Sequence, residues 1–587
     1  MARTYPSLTE QRLKWAKIAV LVIFVAILIR LFDYQIFNAA KINSESAGRR
    51  LVTASVPALR GNIVDANGKI LATTVMSYDV TVDPTQVQPY TVPVNGKDEL
   101  HSVSDATREL GAVLGMDQQV VAQKIQGTSH YGLVKKQVDG ATYLKVKALD
   151  IPWVYYNPVP HRVYPNGALA GNLLGFMGQE GKPLEGLELS QNKCLAGVDG
   201  QQTYTRGADS IRIPGTASVT VQPQNGGTLK LTIDSDLQYF AQQVMSQYVK
   251  QERADWGSAI VVEAKTGKIL AAAEAPTVDP NAYWTVSADA RGARIFRTTF
   301  EPGSTIKTVT AATAIDQGVA TPLTQVVAPQ TTKVLGSFRI SDSHMHPTEH
   351  LTLQGILIES SNTGIIQIGI KVPYSLRADY WKKFGLGERT AVQFPGEGSG
   401  IVHQTAPDGA SVYTSMFGQA MTVTPIQTAF IYQTFANGGS RLPAQLLDTC
   451  TSANGTVSAA EKLGSAVQVL KPSTARQVVD MLENDVAQTG GVGSTAAIPG
   501  YRIGGKSGTA QIADGRGGYG ALHAISFIGM APAENPEYVV AVSIYKPRTV
   551  SNSIGATPPF KAILEQVLRT YRVPPSTTKS PLIKAHW

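Results

Sequence analysis

Cysteine is almost absent: 587 residues contain two, Cys194 and Cys450. That scarcity excludes a disulfide scaffold, and their separation offers no metal-ligand spacing. An exported chain could still join them, but nothing in the sequence brings them together, so pairing is the less favoured reading. Charge is also sparse, at 16% of residues. The net charge is +8, yet beyond the N-terminus the basic residues are scattered, which argues against a nucleic-acid surface. No internal repeat is visible. Long apolar runs are missing except for one near the start, which leaves a single candidate for a membrane span. What remains is a chain of 43% apolar residues, the composition of a folded protein. It is too long for one core, so two or three domains are expected.

The apolar run is WAKIAVLVIFVAILIRLF, residues 15–32. Its uninterrupted part, Ile18 to Ile29, is short for a span. Counted from Trp15 to Phe32, with Lys17 and Arg30 reaching for the interfaces, it suffices with little tilt. Arg3, Arg12, Lys14 and Lys17 flank it against one acid, Glu10. That bias predicts an N-terminus in the cytoplasm and everything after Phe32 outside. A cleavable signal peptide is the alternative, but Asn38-Ala39-Ala40 is a poor cleavage site, and a retained anchor is the reading.

The expected organisation is a cytoplasmic tail over 1–14, the anchor over 15–32, and a stalk and non-catalytic domain over 33–225. A second domain follows over 226–572, then a loose Pro/Ser/Lys-rich tail over 573–587. The first domain mixes strand-like runs such as YDVTVDP (78–84) with a helix at 105–115, and Pro and Gly punctuate 152–215. In the second, residues 234–251 predict a capped helix and 257–274 a hairpin about Lys265-Thr266-Gly267. Residues 501–512, 523–532 and 537–547 read as strands, and 558–571 as a closing helix. The class is α+β, a sheet covered by helices.

The chemistry starts at FEPGSTIK, residues 300–307. A serine hydroxyl needs a base to become a nucleophile, and a lysine serves if burial and other cations depress its pKa. Ser304 and Lys307 stand three residues apart, one turn of helix, at the mouth of an apolar segment opened by Pro302-Gly303. S-x-x-K also occurs at Ser190, Ser543 and Ser576, so the pattern alone is weak; only Ser304 opens an apolar helix after a turn. Ser360-Ser361-Asn362, after a predicted helix, offers a hydroxyl and a carboxamide for proton relay and amide binding. Lys506-Ser507-Gly508-Thr509 lies in a predicted strand, where a cation and hydroxyls can take a carboxylate and Gly508 admits a close backbone approach.

These three elements, in this order, resemble those of the penicillin-binding proteins and serine β-lactamases. The likeness extends along most of the chain, through RGNIVDANGKILA (60–72), HRVYPNGALAGNLLGF (161–176), GLEL (186–189), ESSNTG (359–364), FGQAMTVTPIQ (417–427) and GGKSGTAQ (504–511). It is similar to the class B penicillin-binding proteins, above all the septal D,D-transpeptidases of the penicillin-binding protein 3 type. That resemblance implies a single transmembrane helix, an elongated pedestal, and a transpeptidase domain with a five-stranded antiparallel sheet covered by helices plus an all-helical subdomain.

By the same resemblance Ser304 would attack the D-Ala–D-Ala amide of a peptidoglycan stem peptide, Lys307 would take its proton, and Ser360 would relay it. Asn362 would hold Lys307 and the substrate amide. Lys506, Ser507 and Thr509, with Gly508 between them, would grip the terminal carboxylate, and the N–H groups of Ser304 and Thr509 would form the oxyanion hole. No metal or cofactor is implied. β-Lactams would trap Ser304. Arg60, Gly61, Arg162, Gly186 and Glu188 would brace the pedestal, although plain turns and exposed, weak ion pairs are the favoured account of them. The implied partners are a SEDS-type, FtsW-like glycan polymerase and division-complex membrane proteins, with no nucleic acid. The alternatives are a side-wall transpeptidase, a β-lactam sensor or β-lactamase, and a non-enzymatic scaffold. A bifunctional enzyme is disfavoured, because the pedestal motifs occupy the space its glycosyltransferase would need.

Overall fold

A computed structural model of the chain describes residues 8–94, 97–207, 213, 215–407, 409–459, 463–488, 491–516 and 518–587. Residues 1–7 of the expected cytoplasmic tail, Arg3 among them, lie outside the described residues. The chain divides into two compact units, one of residues 1–58 and 197–225, the other of residues 59–196 and 226–587.

In the first unit the apolar run forms a helix, Leu8–Phe32, that starts before the predicted Trp15. Lys14, Arg12 and Glu10 are good helix formers, so nothing stops the helix at the edge of the apolar run. None of its residues is buried, and it is long and apolar enough to cross a membrane. It passes through a π-helical turn, Asp33–Phe37, into Ala39–Arg50, so the stalk is helical. Strand Leu51–Val56 then pairs antiparallel with Gly200–Thr205, which pairs with Ser218–Val221.

In the second unit, residues 59–196 build a sheet about the long strand Ile70–Val82, which pairs with both Gly132–Val138 and Val154–Val163. Val80, Leu110, Val134 and Trp153 pack beneath it. Its other neighbour, Ile63–Val64, lies parallel to Thr228–Leu231, and that strand pairs in turn with Leu447–Thr451. One sheet therefore runs from the N-terminal part of this unit into the C-terminal part. Cys194 and Cys450 form a disulfide beside this seam, with Cα atoms 6.1 Å apart. This overturns the expectation of unpaired cysteines: 256 residues separate them in sequence, and only the strand pairing brings them together.

The C-terminal part is organised by a five-stranded antiparallel sheet of β1 (Trp256–Glu263), β2 (Ile269–Ala275), β3 (Gly504–Ala513), β4 (Tyr519–Ala531) and β5 (Tyr538–Tyr545). Their spatial order is β2-β1-β5-β4-β3. Both faces are covered, which is why these strands read as continuous apolar runs rather than alternating ones. Ala259, Val261, Val540 and Val542 face the helices α1 (Ser235–Gln251) and α7 (Thr557–Thr570), where Leu237, Met245, Phe560 and Ile563 meet them. Ile260, Val262, Val539 and Ala541 face the helical layer, with α2 (Lys307–Asp316), α3 (Leu353–Ile358), α4 (Asn362–Gly369), α5 (Pro425–Ala436) and α6 (Pro472–Ala487). Every residue of α5 is buried, and its glutamines are satisfied by backbone, Gln427 Nε2 donating to Glu388 O (2.8 Å) and Gln433 Nε2 to Ala264 O (2.8 Å). The predicted turn at Lys265-Thr266-Gly267 closes the β1–β2 hairpin, with Gly267 at φ +75°.

The tail is not loose. Thr352 N donates to Ala585 O (2.8 Å), Asn484 Nδ2 to Pro581 O (2.6 Å) and Ile583 N to Asn484 Oδ1 (3.0 Å). The Trp587 ring meets His350 edge-on with centroids 4.7 Å apart. A polar, proline-rich segment has no core of its own, but here it satisfies buried groups of α3 and α6.

Candidate active site

Ser304 lies in a single 3₁₀ turn, Gly303–Ile306, and α2 proper begins at Lys307. In a 3₁₀ turn residues i and i+3 eclipse, so serine and lysine stack directly. Gly303 has φ +57°, and a Cβ there would stand 2.9 Å from Thr509 O and 3.1 Å from Ala510 Cβ. Only glycine lets the turn lie against β3. On its other side Gly303 N donates to Gly418 O (3.1 Å), within the FGQAM segment.

Lys307 Nζ is 3.0 Å from Ser304 Oγ and 3.2 Å from Ser360 Oγ, and it also donates to Ser360 O. The lysine is fully buried. Burial, reinforced by the neighbouring Lys506 ammonium and opposed by Asp342, holds the Lys307 amine well below the ordinary lysine range. Ser360 has φ +55°, an uncommon conformation for a serine, and it occupies the turn between α3 and α4. The site thus joins a nucleophile, a base that readily loses its charge, and a second hydroxyl within reach of that base.

The S-x-N turn is held from behind by Asp342, which the sequence reading missed. Its carboxylate accepts from Ser361 Oγ (2.7 Å), Asn362 N (2.5 Å) and Thr363 N (3.0 Å), and it lies 3.1 Å from His346 Nε2. An anion at the first turn of α4 is favourable for that helix. No local signal marks Asp342, because the partners lie about 20 residues on, across a loop. Asn362 departs from expectation. Among the described residues its Nδ2 donates to Ser341 O (2.9 Å), and the hydrogen bonds of Lys307 run to Ser304 and Ser360. As the first residue of α4, after the Ser361 cap, Asn362 turns its side chain toward the strand ending at Ser341.

On β3, Lys506 is fully buried, with Nζ 3.4 Å from Ser507 Oγ and 3.6 Å from Asp485 Oδ2. Gly508 is pressed onto the Ser304 turn: a Cβ would stand 2.6 Å from Ser526 Oγ and 2.9 Å from Thr305 Cγ2. Alternation sends Thr509 to the other face, where its Oγ1 accepts from Ser553 N (3.1 Å). Glu301, also missed, braces the entrance. Its Oε1 accepts from Ala420 N (3.0 Å) and Tyr519 OH (3.1 Å), and burial pushes its pKa up.

The remaining predicted residues form a separate cluster. Arg60 Nε donates to Glu188 Oε2 (2.5 Å) and Arg162 Nε to Glu188 Oε1 (2.7 Å). Glu188 is fully buried, so these are not the exposed, weak pairs that the plainer account of them assumed. Gly61 abuts the seam, where a Cβ would collide with Gly227 O at 1.8 Å, and Gly186 has φ +59° against Gly175.

Comparison with known proteins agrees with this arrangement. Residues 257–565 match the penicillin binding protein transpeptidase domain, and residues 55–231 match the penicillin-binding protein dimerisation domain. Penicillin-binding protein PbpB of Mycolicibacterium smegmatis is 33% identical over 599 residues, spanning 97% of this chain and 92% of that protein. Peptidoglycan D,D-transpeptidase FtsI of Escherichia coli is 29% identical, over 92% of this chain and 88% of its own length. Among solved structures, penicillin binding protein 3 of Mycobacterium tuberculosis, complexed with aztreonam, matches with a TM-score of 0.68 at 28% identity. That match covers 89% of this chain and 98% of the other. With both domains matched and likeness along nearly its whole length, the chain belongs to the class B penicillin-binding proteins, with a dimerisation domain followed by a transpeptidase domain.

Proposed function

We propose that this chain is a serine D,D-transpeptidase that cross-links peptidoglycan stem peptides during septal wall synthesis. The observation that carries the reading is the Lys307 amine, buried, depressed in pKa and 3.0 Å from Ser304 Oγ. Ser304 Oγ attacks the carbonyl carbon of the penultimate D-Ala and passes its proton to Lys307 Nζ. The tetrahedral oxyanion is received by the backbone N–H groups of Ser304 and Thr509. Its collapse breaks the C–N bond. The departing amine of the terminal D-Ala takes a proton from Lys307 through Ser360 Oγ, leaving an ester on Ser304. The amine of a second stem peptide then attacks that ester, gives its proton to Lys307, and Ser304 regains its own.

Lys506, with Ser507 beside it, receives the terminal carboxylate, and Asn362 meets the substrate amide after turning from Ser341. A β-lactam, carrying a carboxylate and a strained amide, follows the first half of this path and stops at the acyl-enzyme. The N-terminal helix anchors the chain in the cytoplasmic membrane, N-terminus inside and catalytic domain outside, where a SEDS-type polymerase and division proteins are its partners. A fluorescent fusion that follows the side wall rather than the division plane would move the role from septation to elongation.

The chemistry is tested on full-length protein in detergent with labelled penicillin, followed by digestion and mass spectrometry. The adduct is expected on the Ser304 peptide, and Ser304→Ala is expected to carry none. An adduct on another side chain, or undiminished labelling of the variant, overturns the reading.

A further inference from the structure

The helix α6 runs along β3 and presents Asp485 to Lys506. Asp485 is 2% exposed, and its Oδ2 has no hydrogen-bond partner among the described residues. The site is closed from outside by backbone: a Cβ on Gly493 would stand 3.2 Å from the Asp485 Cγ. Nothing in the local sequence marks this residue, which sits in the run MLENDV on an otherwise ordinary amphipathic helix. A buried carboxylate with an unfilled acceptor is costly, so its retention beside one particular lysine calls for a reason.

The charged and titratable groups around it are few. Lys506 faces it from β3, and Lys307 lies beyond Lys506 at the head of α2. Glu359 acts on it from the turn after α3, and Tyr432 from α5. Lys506 and Lys307 are both fully buried, so two amines share one buried region with Asp485. In such a medium like charges repel strongly, and a lone ammonium sheds its proton or leaves.

We propose that Asp485 is a positioning residue for the reaction, the counter-charge that keeps Lys506 seated to receive the carboxylate of the donor peptide or of a β-lactam. This rests on the reading of Lys506 as the carboxylate-binding group. Burial pushes Asp485 up to about 6, Lys506 pulls the other way, and Glu359 adds to the rise. The grip is therefore present above that pH, where the carboxylate is charged. It fades as acid neutralises Asp485 and leaves the two lysines uncompensated.

The experiment measures penicillin acylation of the full chain in detergent from about pH 5 to about pH 8, resolved into a non-covalent Kd and an acylation rate constant. For the wild type, Kd is expected to rise about tenfold or more as the pH falls through the titration of Asp485, with a smaller change in the rate constant. Asp485→Asn is expected to show that weakened Kd at every pH, without the step. A wild-type-like step in the variant, or a loss confined to the rate constant, overturns the role. A second probe needs no substitution. Penicillin methyl ester lacks the carboxylate, and its Kd on wild-type protein is expected to show no step there; a step that persists assigns the titration elsewhere and overturns the proposal. Failure of the Lys506 reading looks different, because free penicillin and its methyl ester would then share one Kd at every pH while still labelling Ser304.

Discussion

The Arg60–Glu188–Arg162 cluster of the dimerisation domain and the Lys307–Lys506–Asp485 cluster of the transpeptidase domain each bury a carboxylate, but they treat it in opposite ways. Both Glu188 oxygens are taken, Oε2 by Arg60 and Oε1 by Arg162 and by Tyr164 OH (3.1 Å). Most of the guanidinium hydrogens are taken too, Arg60 Nη2 by Glu188 O (2.7 Å), Arg60 Nη1 by Asn192 Oδ1 (2.7 Å) and Arg162 Nη1 by Gly61 O (2.6 Å), while Arg162 Nη2 has no partner among the described residues. Burial and Glu188 push the Tyr164 phenol far up, so it stays a donor. In the other cluster Asp485 keeps an unfilled oxygen, and the Lys307 amine is left with serine hydroxyls and one carbonyl. Its burden appears as displaced pKa values, Asp485 up and Lys307 down. A buried carboxylate with both oxygens filled holds a shape, and one left short keeps its reactivity.

If that distinction is sound, the largest loss of stability comes from the satisfied cluster. Glu188→Gln leaves two buried guanidinium groups without a counter-charge, and the expected cost is about 3–5 kcal/mol. Denaturant unfolding of the full chain in detergent measures it. The surviving folded fraction is expected to bind labelled penicillin at the wild-type rate, because no reacting group has moved. A loss under about 1 kcal/mol would place the cluster with ordinary surface pairs.

How much of each cluster was legible follows from the range of the contacts. Ser304 and Lys307 are three residues apart, and the Pro302-Gly303 turn before an apolar helix is a local signal, so spacing and context sufficed. The strand over Lys506–Thr509 and the close approach at Gly508 were equally local, and Gly508 does lie against the Ser304 turn. Asp342 and Asp485 approach the site from other elements, and a lone Asp in a loop or on a helix carries no mark of what it will face. The Asn362 side chain was misjudged for the same reason, since Ser341 O becomes its partner only when the strand folds back. The sheet that joins the two domains was not legible, because Ile63–Val64, the parallel partner of Thr228–Leu231, is too short to register as a strand in sequence.

The disulfide sharpens the comparison because it braces the same segment covalently. Arg60 Nη1 donates to Asn192 Oδ1 (2.7 Å), and Cys194, two residues further, is tied to Cys450. Cys450→Ser is expected to cost about 2–4 kcal/mol, somewhat less than Glu188→Gln, since the strand pairing of Thr228–Leu231 survives it. Unfolding of the variant without reductant measures that cost. Acylation at Ser304 is expected to keep its pH profile. A changed profile would mean that the seam reaches into the reacting cluster and that the two clusters are not independent.

The smallest effect has the opposite sign and is the most discriminating. The Lys307 amine is held below its ordinary range, so at neutral pH the folded chain binds fewer protons there than the unfolded chain does. The unfavourable balance is absent above the unfolded lysine pKa and grows as the pH falls toward the folded one. Replacing Lys307 by methionine, of similar length and no charge, removes that penalty along with the base. Lys307→Met is expected to abolish acylation yet raise the thermal midpoint, by the equivalent of roughly 1.4 kcal/mol at most for each unit of depression removed. The gain should be larger near pH 6 than near pH 9, and a scanning thermal melt at the two values reads it. If the variant instead melts lower at both, Lys307 is held as Glu188 is, by contacts that the fold needs. The amine would then owe its place to structure, and the contrast between the two clusters would fail at the residue on which the chemistry depends.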